Sequence, residues 1–328
     1  MTRVSVAFIC DSNYIIATAG AVASLIYNKN KDTYYDIYII IAGPTEIEIE
    51  KFYEFKGSDT EIHIIRASPE KYDGLQNFNY ITSTACLKFD LPDLIPHQDK
   101  VLYLDSDVMI LKDLKSMFET DIKDYYAGAV RDVPLIDNKL NIKNYFNSGV
   151  MLLNLNMMRK HGISQALYNL RMSTNKYDFM DQDCLNILFE KKVKLLPVKY
   201  NFFYNYFLQD TKNYTLEYIN KCFGTNYSSF HNIKKDSFII HMAGHYKPWI
   251  YFDSVLVDEW DKYFKKTPFN NYKLKRKSMK MKELQIKLGA FILSYKLTYL
   301  LYFFLKFWRD YGFIFAMGKV KNRLFNDG

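Results

Sequence analysis

Apolar and polar positions follow two different periods along the first part of the chain. Residues 4–10 form a strand-like run, and residues 17–27 are apolar on nearly every side, as in a helix enclosed by a core. Residues 35–41 read as a second strand and residues 45–55 as a polar helix with acids in its first turn. A short third strand covers residues 61–65, and a fourth covers residues 101–104. This rhythm predicts an α/β protein with a mostly parallel, nucleotide-binding sheet flanked by helices.

The fourth strand, Val101-Leu102-Tyr103-Leu104, runs directly into Asp105-Ser106-Asp107. Ionised carboxylates at the rim of a buried strand are costly unless they are paired or bind a metal. Alternation along an extended chain puts Asp105 and Asp107 on one side, where two oxygen donors suit a hard cation such as Mg²⁺ or Mn²⁺. The same residues also fit an Asp-rich turn whose acids only cap backbone groups. After the first strand, Asp11-Ser12-Asn13-Tyr14 fits either helix capping or contacts to a ribose and a base. GxGxxG and GxxxxGK[ST] are both absent, so phosphates bound here would need charge from elsewhere.

Three further clusters bear on the chemistry. Tyr145-Phe146-Asn147-Ser148-Gly149-Val150-Met151-Leu152-Leu153-Asn154 sets two amides around a Ser-Gly step of close backbone approach, which suits hydroxyl-rich ligands. Asp181-Gln182-Asp183 opens a helix, where acids also favour the helix dipole. His241-Met242-Ala243-Gly244-His245-Tyr246-Lys247-Pro248-Trp249 follows a strand and supplies an imidazole and an ammonium. In this order the clusters resemble the retaining, nucleotide-sugar-dependent glycosyltransferases of family 8, which include bacterial lipopolysaccharide galactosyl- and glucosyltransferases. The resemblance spans roughly residues 4–265 and implies a GT-A fold.

The resemblance implies roles for particular residues. The family's metal-binding DxD matches Asp105 and Asp107, and the histidine of its HxxGxxKPW element matches His241, implying bound Mn²⁺ or Mg²⁺. Gly244 and Lys247 match positions that hold the donor diphosphate, and Asp11, Ser12, Asn13 and Tyr14 match those around uracil and ribose. Ser106 lies within the donor site, and Asn147, Asp181, Gln182 and, more loosely, Asp132 match contacts to the donor sugar. Lys88 stands where relatives often carry arginine, keeping the charge without the bidentate fork. Gln182 is placed to approach the sugar's far face, although an amide is a poor nucleophile. Asp181 and Asp183 are stronger bases, and a front-face route needs no protein nucleophile at all.

Composition limits the remaining readings. The chain has 328 residues, 49% of them apolar, enough for one large α/β domain and incompatible with a disordered chain. Cys10, Cys86, Cys184 and Cys222 form no CxxC pair, which argues against a zinc site or disulfide framework and suits a reducing cytosol. The N-terminus enters a strand too soon for a secretory signal. Residues 262–328 hold 16 Lys/Arg against Glu283, Asp310 and Asp327, a net +13, which leaves −5 on residues 1–261 of a chain whose total is +8. Residues 284–315 of that basic region are crowded with Leu, Phe, Tyr and Ile, the composition of a segment lying at an anionic membrane surface. A span over residues 288–305 would bury Lys296 near the bilayer centre, and nucleic acid would need fewer large apolar residues.

The sequence therefore predicts a catalytic domain over residues 1–265 and a helical basic-aromatic tail over residues 266–328. The expected enzyme is a hexosyltransferase carrying glucose or galactose from a UDP-sugar to a glycan or lipid-linked acceptor such as lipopolysaccharide. Its expected place is the cytoplasm, peripheral on the inner face of the plasma membrane. Residues 199–207, rich in Tyr, Phe and Asn, are the candidate acceptor contacts. The competing readings are a metal-dependent nucleotidyltransferase or phosphohydrolase, and a relative that binds UDP-sugar or glycan without turnover.

Overall fold

The computed structural model describes residues 1–72, 83–133, 140–173, 179–203, 214–245 and 247–278. Strand β1 (Thr2–Cys10) turns Val4, Val6, Phe8 and Cys10 to one face and Ala7 and Ile9 to the other, and both faces are covered. A strand apolar on both sides belongs at the centre of a sheet. β1 pairs in parallel with β2 (Thr33–Ala42) and β4 (Lys100–Leu104), and β2 pairs in parallel with β3 (Thr60–Ala67).

The later strands are β5 (Val108–Ile110), β6 (Ala127–Arg131), β7 (Phe146–Asn154), β8 (Val193–Leu196) and β9 (Ile239–His241). Among the described residues one sheet runs β3-β2-β1-β4-β7-β6-β8, and β5 and β9 make a separate antiparallel pair. β7 is the strand that reverses direction, antiparallel to both β4 and β6, while β6 and β8 are parallel. Its start therefore lies beside the carboxyl ends of β4 and β6. That edge is where ligands bind in an open α/β sheet.

Helix α1 (Ile15–Tyr27) is buried from Ile15 to Leu25, as its all-round apolarity predicts. Small residues let it sit close to its neighbours: a Cβ on Gly20 would stand 2.9 Å from Trp260 Nε1. Helices α2 (Ile163–Ser173) and α3 (Met180–Phe189) cover the opposite face. Helix α4 (Val257–Phe264) packs beside α1 through Trp260 and Phe264. The polar helix expected over residues 45–55 is instead a 3₁₀ helix over Ile49–Phe55. Thr45 Oγ1 accepts the Ile47 N–H at 3.0 Å, a local bond that competes with helical pairing at the start of the segment.

Beyond α4 the chain folds back on the body. Phe269 is buried with its ring 5.0 Å from that of Phe52, Arg276 pairs with Asp261, and the Lys277 N–H donates to Ile250 O at 2.9 Å. The rest of the expected tail, residues 279–328, lies outside the described residues. No helix among the described residues is long and apolar enough to cross a membrane. The four cysteines are free, and burial pushes the Cys10 and Cys86 thiols up to about 12, which keeps them protonated and unreactive.

A buried carboxylate ties the amino ends of the first strands together. Asp36 on β2 accepts from Arg3 Nε (3.0 Å) and Gln98 Nε2 (3.3 Å) and faces His63 Nε2 at 2.7 Å. Burial alone would raise its pKa, but the Arg3 and His63 hydrogen bonds prevail and hold it below the ordinary carboxylate value. A depressed folded-state pKa gives stability that is present above the unfolded value of about 3.9 and is lost as pH falls through the folded one. Asp36→Asn is therefore expected to lower stability by about 1–3 kcal/mol near neutral pH. Its urea midpoint should also fall less steeply than the wild type's below about pH 4. Parallel pH profiles would show that Asp36 is not the source.

Candidate active site

The β4 strand ends at Leu104, and the next three residues turn the chain into β5. The Asp105 N–H still donates to Gly149 O at 2.7 Å, holding the turn against β7. Alternation then sends Ser106 inward, where its Oγ lies 2.7 Å from Thr18 Oγ1 and 3.4 Å from Ile9 O. Because Val108 on β5 pairs with His241 on β9, and the Met242 N–H donates to Asp107 O at 2.8 Å, the imidazole arrives beside the acids. His241 Nε2 is 3.0 Å from Asp107 Oδ1 and 4.0 Å from Asp105 Oδ2. One ligand atom from each of Asp105, Asp107 and His241 lies within 4.8 Å of the others.

This donor set fits a divalent cation: two carboxylates and one imidazole, facing an open cavity. The neighbouring backbone fits it too. A Cβ on Gly149 would stand 2.4 Å from His241 Cε1 and 2.5 Å from Asp105 Oδ2, so the space between the ligands depends on the missing side chain. Lys247, 3% exposed, pairs with Asp107 and donates to Met242 O at 2.7 Å. Burial would raise the Asp107 carboxyl, but Lys247 and His241 outweigh it and hold it well below the usual range.

A second ion cluster stands on the other side of Asp105. Lys88, also 3% exposed, lies 2.7 Å from Asp181 Oδ2 and 3.7 Å from Asp105 Oδ1 and donates to Ser148 Oγ at 3.3 Å. Burial would lower the Lys88 pKa, yet Asp105 and Asp181 raise it overall, so the ammonium stays charged. Tyr103 donates its hydroxyl to Asp105 Oδ1 at 2.6 Å.

Polar groups from three elements meet next to these ions. Gln182 Oε1 accepts from Asn147 Nδ2 (3.0 Å) and the Ser148 N–H (2.9 Å), and Gln182 Nε2 donates to Asp132 Oδ2 at 3.0 Å. Asp183 turns away: it accepts from the Tyr145 hydroxyl and the Phe179 N–H and is not among the cavity-lining residues. At the opposite end, Asp11 Oδ1 accepts the Asn13 N–H at 2.9 Å, and the Tyr14 ring meets Trp249 edge-on at 6.0 Å. Gly244 adopts φ +91°, a conformation that favours glycine, and leaves its side of the cavity open.

A cavity of about 280 Å³ joins these parts. It is lined by Asp11, Tyr14, Lys88, Asp105, Ser106, Asp107, Asp132, Asn147, Asp181, Gln182, His241 and Gly244 from the sequence-based set. Ser12 and Asn13 are exposed and, like Asp183, do not line it, and Lys247 reaches it through Asp107. Tyr103 and Phe203 also line the cavity. Tyr103 reads as one more core aromatic in an apolar strand. Phe203 falls within the stretch expected to contact acceptor, of which residues 199–203 are described.

The mixed sheet, the acidic turn at the end of β4 and the cavity at that edge define a GT-A nucleotide-diphospho-sugar transferase fold. The chain belongs to glycosyl transferase family 8, whose model matches residues 5–253. It is 29% identical over 205 residues to the glycosyltransferase GlyF of Streptococcus pneumoniae, covering 61% of this chain and 49% of that protein. It therefore spans about half the length of that relative. A lipopolysaccharide 1,2-glucosyltransferase of Escherichia coli is 26% identical over 269 residues, covering 73% of this chain and 71% of that one. A solved structure of the galactosyltransferase LgtC with donor and acceptor sugar analogues superposes with a TM-score of 0.67 at 25% identity, covering 80% of this chain and 96% of that one.

Proposed function

We propose that this chain is a retaining hexosyltransferase that carries glucose or galactose from a UDP-sugar to a glycan or lipid-linked acceptor, with Mn²⁺ or Mg²⁺ as cofactor. The observation that carries this reading is the single cavity in which Asp105, Asp107 and His241 converge between an aromatic-acid end at Tyr14 and Asp11 and an amide-rich end at Asn147 and Gln182. Such a cavity fits base, diphosphate and sugar in that order. Asp105, Asp107 and His241 would hold the cation, which when bound opposes the negative charge gathering on the departing diphosphate. Lys247 adds positive charge on the same side and holds Asp107 in place.

Asp132, Asn147, Asp181 and Gln182 orient the sugar hydroxyls. The oxygens of Asp132 and Asp181 accept, and the amides offer both donors and acceptors. In a front-face displacement the bond between C1 and the diphosphate breaks, the acceptor oxygen bonds to C1, and its proton passes to the departing phosphate. Gln182 uses both ends of its amide within the protein, which suits orientation rather than attack. The homology to a lipopolysaccharide glucosyltransferase supports a surface-glycan acceptor. Attachment of a cytoplasmic enzyme to the inner membrane face through the basic, aromatic region beyond residue 265 remains part of the proposal, resting on its composition.

The test is mass-resolved binding and slow hydrolysis of a panel of UDP-sugars with Mn²⁺, comparing the native chain with Asp107→Ala. One UDP-hexose should be bound and cleaved by the native chain, and turnover should fall by about 100-fold or more in the variant. Binding without cleavage, even with cell lipids present, would point to a non-catalytic relative. Failure of every UDP-sugar to bind would remove the proposal.

A further inference from the structure

Asn201 is 1% exposed and lies directly behind His241. Backbone pairing places it there: the Phe202 N–H donates to Ile239 O at 3.1 Å and the His241 N–H donates to Phe202 O at 3.0 Å. The Phe203 ring packs 5.3 Å from the imidazole. Asn201 Oδ1 stands 3.0 Å from His241 Nδ1, and its Nδ2 donates to Asn147 Oδ1 at 2.9 Å.

The hydrogen-bond directions in this chain are fixed by backbone. The Gly149 N–H donates to Asn147 Oδ1 at 3.0 Å, so that atom must be the oxygen. An oxygen there requires a donor from Asn201, which turns Asn201 Nδ2 to Asn147 and Asn201 Oδ1 to the imidazole. An amide oxygen only accepts, so His241 Nδ1 carries a proton, and any proton that Nε2 shares with the acceptor-only Asp107 Oδ1 is the one a cation displaces. Nε2, the atom facing Asp105 and Asp107, is then the nitrogen able to offer a lone pair to a cation.

We propose that Asn201 is a positioning residue that fixes the ring orientation and tautomer of His241 for divalent-cation binding. Through Asn147 it also joins the cation site to the sugar-facing amides. The proposal rests on the reading of His241 as a metal ligand. Neither glycosyl chemistry nor the acceptor enters it.

The experiment is Mn²⁺ titration of the full chain by calorimetry, together with nitrogen-resolved NMR of the His241 ring in protein loaded with diamagnetic Cd²⁺. Asn201→Ala should weaken Mn²⁺ binding by about 10–100-fold. Asn201→Leu fills the same space without an acceptor for Nδ1–H and should bind Mn²⁺ as weakly as Asn201→Ala, whereas a purely space-filling role would be restored by it. The wild-type ring proton should be found on Nδ1. Wild-type Mn²⁺ affinity in a folded Asn201→Ala, or a Cd²⁺-loaded wild type with its ring proton on Nε2, would overturn the proposal. The same measurement on the metal-free chain needs no substitution and keeps the proposal falsifiable even if Asn201→Ala fails to fold: an Nδ1 without a proton there would leave Asn201 Oδ1 nothing to accept and would overturn it. Absence of Mn²⁺ binding to the wild type would instead overturn the metal reading itself, and this one with it.

Discussion

Gly149→Ala is expected to abolish divalent-cation binding while leaving the sheet folded. The glycine sits on β7 without a positive φ, so alanine meets no backbone obstacle there. What it meets is the ligand set: its Cβ would come within 2.4 Å of His241 Cε1 and 2.5 Å of Asp105 Oδ2. Neither ligand can step back easily. The imidazole is held by Asn201 and Phe203, and Asp105 by Tyr103 and Lys88. A displacement of about 1 Å at such a centre costs roughly 100-fold, so Mn²⁺ affinity and turnover should each fall at least that far. Calorimetric titration of Mn²⁺ alongside a thermal melt checks this. Native affinity in the variant would mean that the cation does not lie between these three side chains.

Lys88→Ala should be among the most destabilising single changes in the protein, at about 3–5 kcal/mol, because it strands the buried Asp181 carboxylate. Lys88 and Asp181 are 3% and 4% exposed and lie 2.7 Å apart, so the lost ammonium leaves a carboxylate that only cavity water and the Ser148 hydroxyl can solvate. The double change Lys88→Met with Asp181→Leu removes both charges and should recover most of the stability in urea denaturation. On the proposed function, UDP-hexose binding should be lost in the double variant, since the carboxylate proposed to face the sugar is gone. If Lys88→Ala alone leaves the urea midpoint unchanged, the pair is not the buried one described. An arginine substituted at this position would present a planar fork of donors to these carboxylates in place of lysine's single ammonium.

How much of this was legible in the sequence varied with the range of the interaction. β1, β2 and α1 are largely enclosed elements whose hydrophobic runs show them without ambiguity, and Asp105 with Asp107 stood out because acids rarely end such strands. The ordered motifs placed His241 near them although 133 residues separate it from Val108, its partner in the β5 and β9 pairing. Asn201 could not be reached in this way. Its importance lies in the directions of hydrogen bonds fixed by the Gly149 N–H, and no local pattern encodes them. Asp183 shows the opposite limit. Sharing the first turn of α3 with Asp181 and Gln182 made it a candidate, but helical geometry points it to Tyr145 and the Phe179 N–H instead. The 3₁₀ helix at Ile49–Phe55 was missed for a third reason, because a single Thr45 side-chain bond competes with a helical start.

The reversed strand β7 has a further consequence for evolvability. It carries Asn147 beside Gln182, Gly149 between Asp105 and His241, and between them Ser148, which accepts from Lys88 and donates to Asp181. Three consecutive residues thus serve three different tasks, and a change to any one disturbs the other two through the shared backbone. Divergence in what the cavity accepts, whether in nature or in directed selection, would be steered away from this strand and toward lining positions such as Thr84 and Ala85, which reach the same cavity from a separate segment.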